Sequence, residues 1–181
     1  KLSLVKETFF NALVKEVSTC DTIKNNETIS NLISKISKIS DESFKCFIQL
    51  ISEYISKKQI SPQILGGFCQ ILEVMCRNKK EIENDFLEIC GIKLIDIVLM
   101  KQYRSDEFLL NSISSTLKLV KGKLPTKVTH IIGLIFDYHP KLISIAIDLY
   151  FKVDNIESVD LMPIIKKRFE KDIAEEIPDF K

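Results

Sequence analysis

Apolar residues recur along this chain at spacings of three and four, the period of one helix face and not the alternation of a strand. Leu2, Val5, Phe9, Leu13 and Val17 form the first stripe and predict a helix running to about Ser18, before a polar loop over residues 19–26. Ile29, Leu32, Ile33, Ile36 and Ile39 predict a second amphipathic helix over residues 28–39, with serines and lysines on its outer face. Asp41 is placed to cap a third, whose apolar side carries Phe44, Phe47, Ile48, Ile51, Tyr54 and Ile55. Ser61-Pro62 opens a fourth with proline at the favoured first position, and Leu65, Phe68, Cys69, Leu72, Met75 and Cys76 form its face. Gly66-Gly67 lies inside that helix. Interior glycines cost roughly 1 kcal/mol each relative to alanine, so the pair predicts a neighbour at backbone distance, with Gly67 at the crossing.

Residues 78–121 combine a short helix, a glycine corner and two longer striped helices. Phe86, Leu87 and Ile89 make one apolar turn closed by Cys90-Gly91, where Gly91 is expected to take the left-handed conformation that turns the chain. Ile92, Leu94, Ile95, Val98 and Leu99 follow at helical spacing. After the polar break at Tyr103-Arg104, Ser105 is expected to cap a helix with an acidic first turn at Asp106 and Glu107. Leu109, Ile113, Thr116, Leu117 and Val120 stripe that helix, and Gly122 stops it. Pro125 is expected to start the next through Val128, Ile131, Ile132, Ile135 and Phe136, and Pro140 another through Ile143, Ala146, Ile147 and Tyr150. A final helix over residues 158–176 carries Pro163 near its first turn.

The order of short helix, glycine and two helices resembles an armadillo repeat. Glu88-Ile89-Cys90-Gly91-Ile92-Lys93-Leu94-Ile95-Asp96-Ile97-Val98-Leu99 is similar to the corner and second helix of that family, and the flanking segments resemble the paired helices of the related HEAT type. Ser61 and Ser105 would both begin third helices, roughly 44 residues apart, within the range of such units. The resemblance implies an all-α, right-handed α-solenoid of about nine or ten helices, a single helical-repeat domain over residues 1–181. It also implies a non-enzymatic interaction scaffold or adaptor. In such folds the last helix of each repeat lines a concave surface that holds a peptide or helix of another protein; here Gln70, Glu73 and Arg77 would lie on one such helix and Ser114, Lys118 and Lys121 on the next. The asparagine that importin-like members place there is replaced by Val74 and Leu119, so binding of nuclear-localisation peptides is not expected. A compact right-handed superhelix resembling polymerase-tail-binding or endocytic adaptor domains, which bind peptides or membranes, is the alternative architecture.

Composition agrees with a helical domain. With 181 residues, 45% of them hydrophobic, the chain can bury one core unaided. Five glycines, five prolines and no tryptophan suit helices better than a turn-rich β protein. A net charge of +1 gives no global attraction to nucleic acid or anionic membrane. Lysines do cluster, at Lys57-Lys58, at Arg77 with Lys79-Lys80, at Lys118, Lys121, Lys123 and Lys127, and at Lys166-Lys167-Arg168. Acidic Glu81, Glu83 and Asp85 lie nearby and no aromatic residue interleaves, so these read as solvated faces, with a nucleic-acid-associated scaffold as the alternative function. The five cysteines are odd in number and contain no CxxC pair, which points to buried, inert thiols in a reducing compartment, cytoplasmic or nuclear. Asn26-Glu27-Thr28 matches a glycosylation sequon of the kind that arises by chance. No apolar run reaches the roughly 18 residues of a membrane span, and the start at Lys1 is expected to mark a piece of a larger protein.

No catalytic pattern emerges. His130 and His139 are the only histidines, and neither has a local partner set suited to metal binding or general-base work. His139, before Pro140, is expected to be a capping or solvated imidazole. No phosphate loop, zinc motif or nucleophile elbow occurs, Glu175-Glu176 point to different helix faces, and no cofactor or metal is expected.

Overall fold

Helical periodicity is realised through most of the described residues. The computed structural model describes residues 8, 10–16, 27, 31, 41–57, 60–76, 85–154, 163, 166 and 170. Residues 10–16 are helical. Then come α1 (Asp41–Lys57), α2 (Pro62–Cys76), a π-helical turn (Leu87–Gly91) leading straight into α3 (Ile92–Val98), α4 (Glu107–Leu119), α5 (Val128–Tyr138), and a 3-10 turn (Pro140–Leu142) leading into α6 (Ile143–Tyr150). The protein is all-α, with no strand among the described residues; an isolated parallel bridge joins Leu124 to Val153. The loop predicted over residues 19–26 lies outside the described residues. So do the helices predicted over 28–39 and 158–176, except that residues 31, 163, 166 and 170 are helical.

Local signals placed several boundaries. Pro62 opens α2, and the Ser61 hydroxyl accepts from the Ile64 N–H at 3.4 Å. Pro140 opens the turn into α6. Gly122 does not stop α4: the helix ends at Leu119, Val120 is already extended at ψ 132°, and Gly122, at φ 81°, turns the chain in the loop beyond.

Other expectations are corrected. Gly91 makes no corner: its φ of −60° and ψ of −44° are right-handed helical, and the chain runs on from residue 85 to Val98. The wider π turn stacks residue i+5 over residue i, which brings the Phe86 ring over Gly91. A Cβ at 91 would lie 3.0 Å from Phe86 Cε1 and 3.1 Å from Leu87 Cδ2, so this glycine makes room for side chains. The cap of α4 is Asp106, not Ser105: Asp106 has extended backbone, and its Oδ1 accepts from the Leu109 N–H at 2.8 Å. Ser105 stands one residue too early to reach that amide. Residues 125–127 form a turn, closed by the Val128 N–H on the Pro125 carbonyl at 3.0 Å, so α5 begins at Val128.

Packing links alternate helices and also the sequence neighbours α5 and α6. α2 lies against α4 and α4 against α6, while α1 contacts the π turn and α3 contacts α5. The close approach predicted for the glycine pair falls on Gly66, where an added methyl would overlap the Phe108 ring of the neighbouring α4. Gly67 is buried. In the same interface the Thr116 hydroxyl lies 3.1 Å from the Cys69 carbonyl and 3.0 Å from the Ser112 carbonyl, and shares one proton between them. An aromatic cluster ties the N-terminal segment to α1 and α2: Phe10 stacks on Phe68 at 5.6 Å, and Tyr54 meets Phe68 edge-on at 5.7 Å. Phe10, which the first apolar stripe omitted, is a core residue.

Polar groups clasp the ends and sides of these helices. The buried Tyr103 hydroxyl donates to the Ile60 carbonyl at 2.7 Å, joining the turn before α4 to the turn before α2. His139 Nε2 sits 2.9 Å from the Ser105 carbonyl, one turn further along. At the opposite helix ends, Lys152 Nζ donates to the Lys118 and Val120 carbonyls at 2.7 and 2.6 Å, satisfying acceptors that the end of α4 leaves open. Along the sides, Lys45 pairs with Asp85 at 2.7 Å, Lys93 Nζ donates to the Ser52 hydroxyl at 2.8 Å, and Lys127 pairs with Asp96 at 2.9 Å. Tyr103→Phe should therefore cost about 1–3 kcal/mol, because it strands a buried carbonyl while keeping the ring. A urea midpoint equal to wild type would show that water replaces the hydroxyl.

Candidate functional site

Two of the residues expected to line a shared groove, Gln70 and Ser114, are enclosed. α2 is buried without a break from Leu65 to Leu72, as a helix covered on all sides must be, and Gln70 is only 5% exposed. Ser114, at 0%, is equally enclosed in α4. Burial removes both from any solvent-facing groove. Glu73 is half-buried, and Arg77 lies outside the described residues. Lys118 and Lys121 are exposed, and the Lys118 ammonium is paired with Asp148 of α6.

A different concavity is present on α5. Val128, Ile131, Ile132, Ile135 and Phe136 turn inward to the core. On the other side Thr129, His130, Gly133, Leu134 and Asp137 line an open cleft of about 460 Å³, closed across by Leu99 and Arg104. From Thr129 to Asp137 it follows α5 for roughly 12 Å, the rise of eight helical residues. Gly133 and Leu134 with Leu99 make its apolar surface, and Arg104, Thr129, His130 and Asp137 its polar one. The Arg104 Nε donates to the Leu99 carbonyl at 2.7 Å, which fixes the guanidinium beside the end of α3. The Thr129 hydroxyl donates to the Thr126 carbonyl at 2.7 Å. Met100 and Tyr138, each about half exposed, directly follow lining residues Leu99 and Asp137. Such a cavity, mostly apolar with a few polar groups, is the usual form of a binding site.

Sequence reasoning missed this cleft, because its walls come from two segments some thirty residues apart. One local signal was present: Thr129, Gly133 and Asp137, at i, i+4 and i+8, put small and polar residues on the face opposite the apolar stripe. His130 lines the cleft and is exposed. His139, expected to be a capping or solvated imidazole, is neither: its side chain is 13% exposed, makes no cap bond, and bridges to the turn before α4, with Nδ1 3.5 Å from Glu107 in addition to its contact with Ser105. No cluster of three or more potential metal ligands occurs among the described residues.

Thiol chemistry is suppressed in the core. Burial pushes the Cys69 thiol far up, helped by the neighbouring Cys90 and Glu73 and opposed by a hydrogen bond from Thr116. Burial also raises Cys90 from 9.0 to about 12, partly offset by Lys93. Cys46 is only half-buried, while Cys20 and the Cys76 side chain lie outside the described residues. Iodoacetamide should thus modify Cys46 in the native protein and reach Cys69 and Cys90 only on unfolding, as read by mass spectrometry of digested protein. A folded thiol held protonated while its unfolded counterpart ionises contributes stability below pH 9.0 that is lost as the pH rises toward about 12. A denaturation midpoint that stays flat across that alkaline range would contradict the burial of these groups.

No protein-family model, curated protein or solved structure matches the chain. Among the described residues no helix is long and apolar enough to cross a membrane.

Proposed function

We propose that this chain is a non-enzymatic interaction scaffold, a right-handed α-solenoid similar in architecture to armadillo and HEAT proteins, which holds a segment of another protein in the cleft along α5. The observation that carries this reading is the cleft itself, an apolar trough with a polar rim set on rigid helices. Contacts between alternate helices support the solenoid. In stacked helical hairpins each helix touches its counterpart in the next unit, as α2, α4 and α6 do here. The clasps from Tyr103 to Ile60 and from His139 to Ser105 recur at successive turns, in keeping with a repeating unit. Free thiols at Cys46, Cys69 and Cys90 fit a reducing compartment such as cytoplasm or nucleus.

Pairing of lysines weighs against the nucleic-acid reading. Lys45, Lys118 and Lys127 each face an aspartate and are partly neutralised for phosphate binding. The experiment is affinity capture from native extract by three immobilised forms of the chain. Wild type and the Lys118→Glu, Lys121→Glu double variant should retain the same protein, and Gly133→Leu, which fills the cleft, should lose it. The double variant should melt close to wild type, since the pair it removes is exposed. Loss with the double variant and retention with Gly133→Leu would move the site to the α4–α6 side. Capture abolished by nuclease would replace the proposal with a nucleic-acid scaffold.

A further inference from the structure

We propose that the cleft selects partner segments in which a carboxylate adjoins an apolar side chain, the carboxylate seated on Arg104 and the apolar group over Gly133. This rests on the reading of the cleft as a protein-binding site and adds the chemistry of what it takes.

Arg104 supplies the anion preference. Its Nε is committed to the Leu99 carbonyl, and among the described residues its guanidinium makes no other hydrogen bond or ion pair. The side chain is exposed at the cleft wall. A guanidinium anchored through Nε still presents its terminal N–H groups, and that planar fork matches the two oxygens of a carboxylate. The lysines of the neighbouring helices are differently placed, Lys93 on serine hydroxyls and Lys127 on Asp96. The cleft therefore draws acid to one point.

Gly133 supplies the apolar seat. It lies in the interior of α5, with helical neighbours on both sides, where glycine is a poor choice for the helix. Its absent side chain deepens the cleft between Leu134 and Leu99, so that an incoming apolar side chain can approach the helix backbone.

The test is selection of phage-displayed random peptides on the whole chain, followed by fluorescence anisotropy with the best synthetic peptide. Enriched sequences should share an Asp or Glu next to Leu, Ile, Met or Phe. Arg104→Gln should weaken the peptide by about tenfold or more, the scale of a charge-assisted hydrogen bond, and Arg104→Lys should weaken it less. Gly133→Leu should abolish binding, and Gly133→Ala should weaken it while raising the melting temperature. That opposite movement is one that a purely structural glycine would not give. Enriched peptides that are basic, or that bind Arg104→Gln as well as wild type, would overturn the acid preference and leave the cleft as a binding site. Failure to enrich any peptide, or binding indifferent to Gly133→Leu, would overturn the cleft reading itself.

Discussion

Phe68→Ala is expected to destabilise the protein by about 3–5 kcal/mol, the range for removing a buried aromatic side chain. Phe68 is fully buried in α2 and packs against the rings of Phe10 and Tyr54, at 5.6 and 5.7 Å, which meet each other at 5.8 Å. Deleting it removes both ring contacts and leaves a cavity that helix backbones on two sides cannot collapse to fill. Against a domain stability of roughly 5–15 kcal/mol, this is a large share. The N-terminal segment should respond most, since Phe10 makes its contacts with α1 and α2 through this cluster. Urea unfolding measures the total, and hydrogen exchange at residues 10–16 measures the local part. A loss below about 1 kcal/mol would mean that the cluster is loosely packed and the N-terminal helix docks by other contacts.

Gly66→Leu should be the second largest effect, about 1–3 kcal/mol from overpacking. A Cβ at this position meets the Phe108 ring at once, with Cδ1 at 2.8 Å and Cζ at 3.1 Å, and the remaining leucine atoms would have to push α2 and α4 apart. Gly66→Ala is the informative companion. Its added methyl improves helix propensity by about 1 kcal/mol, while the Phe108 ring, half-buried and able to rotate, yields part of the space. Alanine should thus fall near wild type and leucine well below it, in thermal melts of the two variants. Equal melting temperatures for wild type and Gly66→Leu would show that the α2–α4 contact is not the close crossing described above.

How much of this could be read beforehand divides along a physical line. Asp106 shows how fine the division is: the acidic first turn of α4 is legible, yet Ser105 reads as its cap, because both residues are good caps and only backbone conformation tells which one faces the Leu109 amide. Gly91 shows the opposite error. A glycine between two apolar turns reads as a corner, but the crowding of Phe86 and Leu87 in a π turn uses the missing Cβ as space and leaves the helix continuous.

The sequence by itself determined the helical class and several of the helix limits, since periodicity and proline at Pro62 and Pro140 act within a turn or two of chain. Tertiary structure alone decided which faces remain in solvent. Gln70 and Ser114 are polar and looked exposed, but α2 and α4 are covered by neighbours from distant parts of the chain, so both are enclosed. Thr129, Gly133 and Asp137 looked like an ordinary solvated face until Leu99 and Arg104, brought in from the end of α3, made it one wall of a cleft. Burial and concavity depend on contacts between residues far apart in sequence, and no local pattern encodes them.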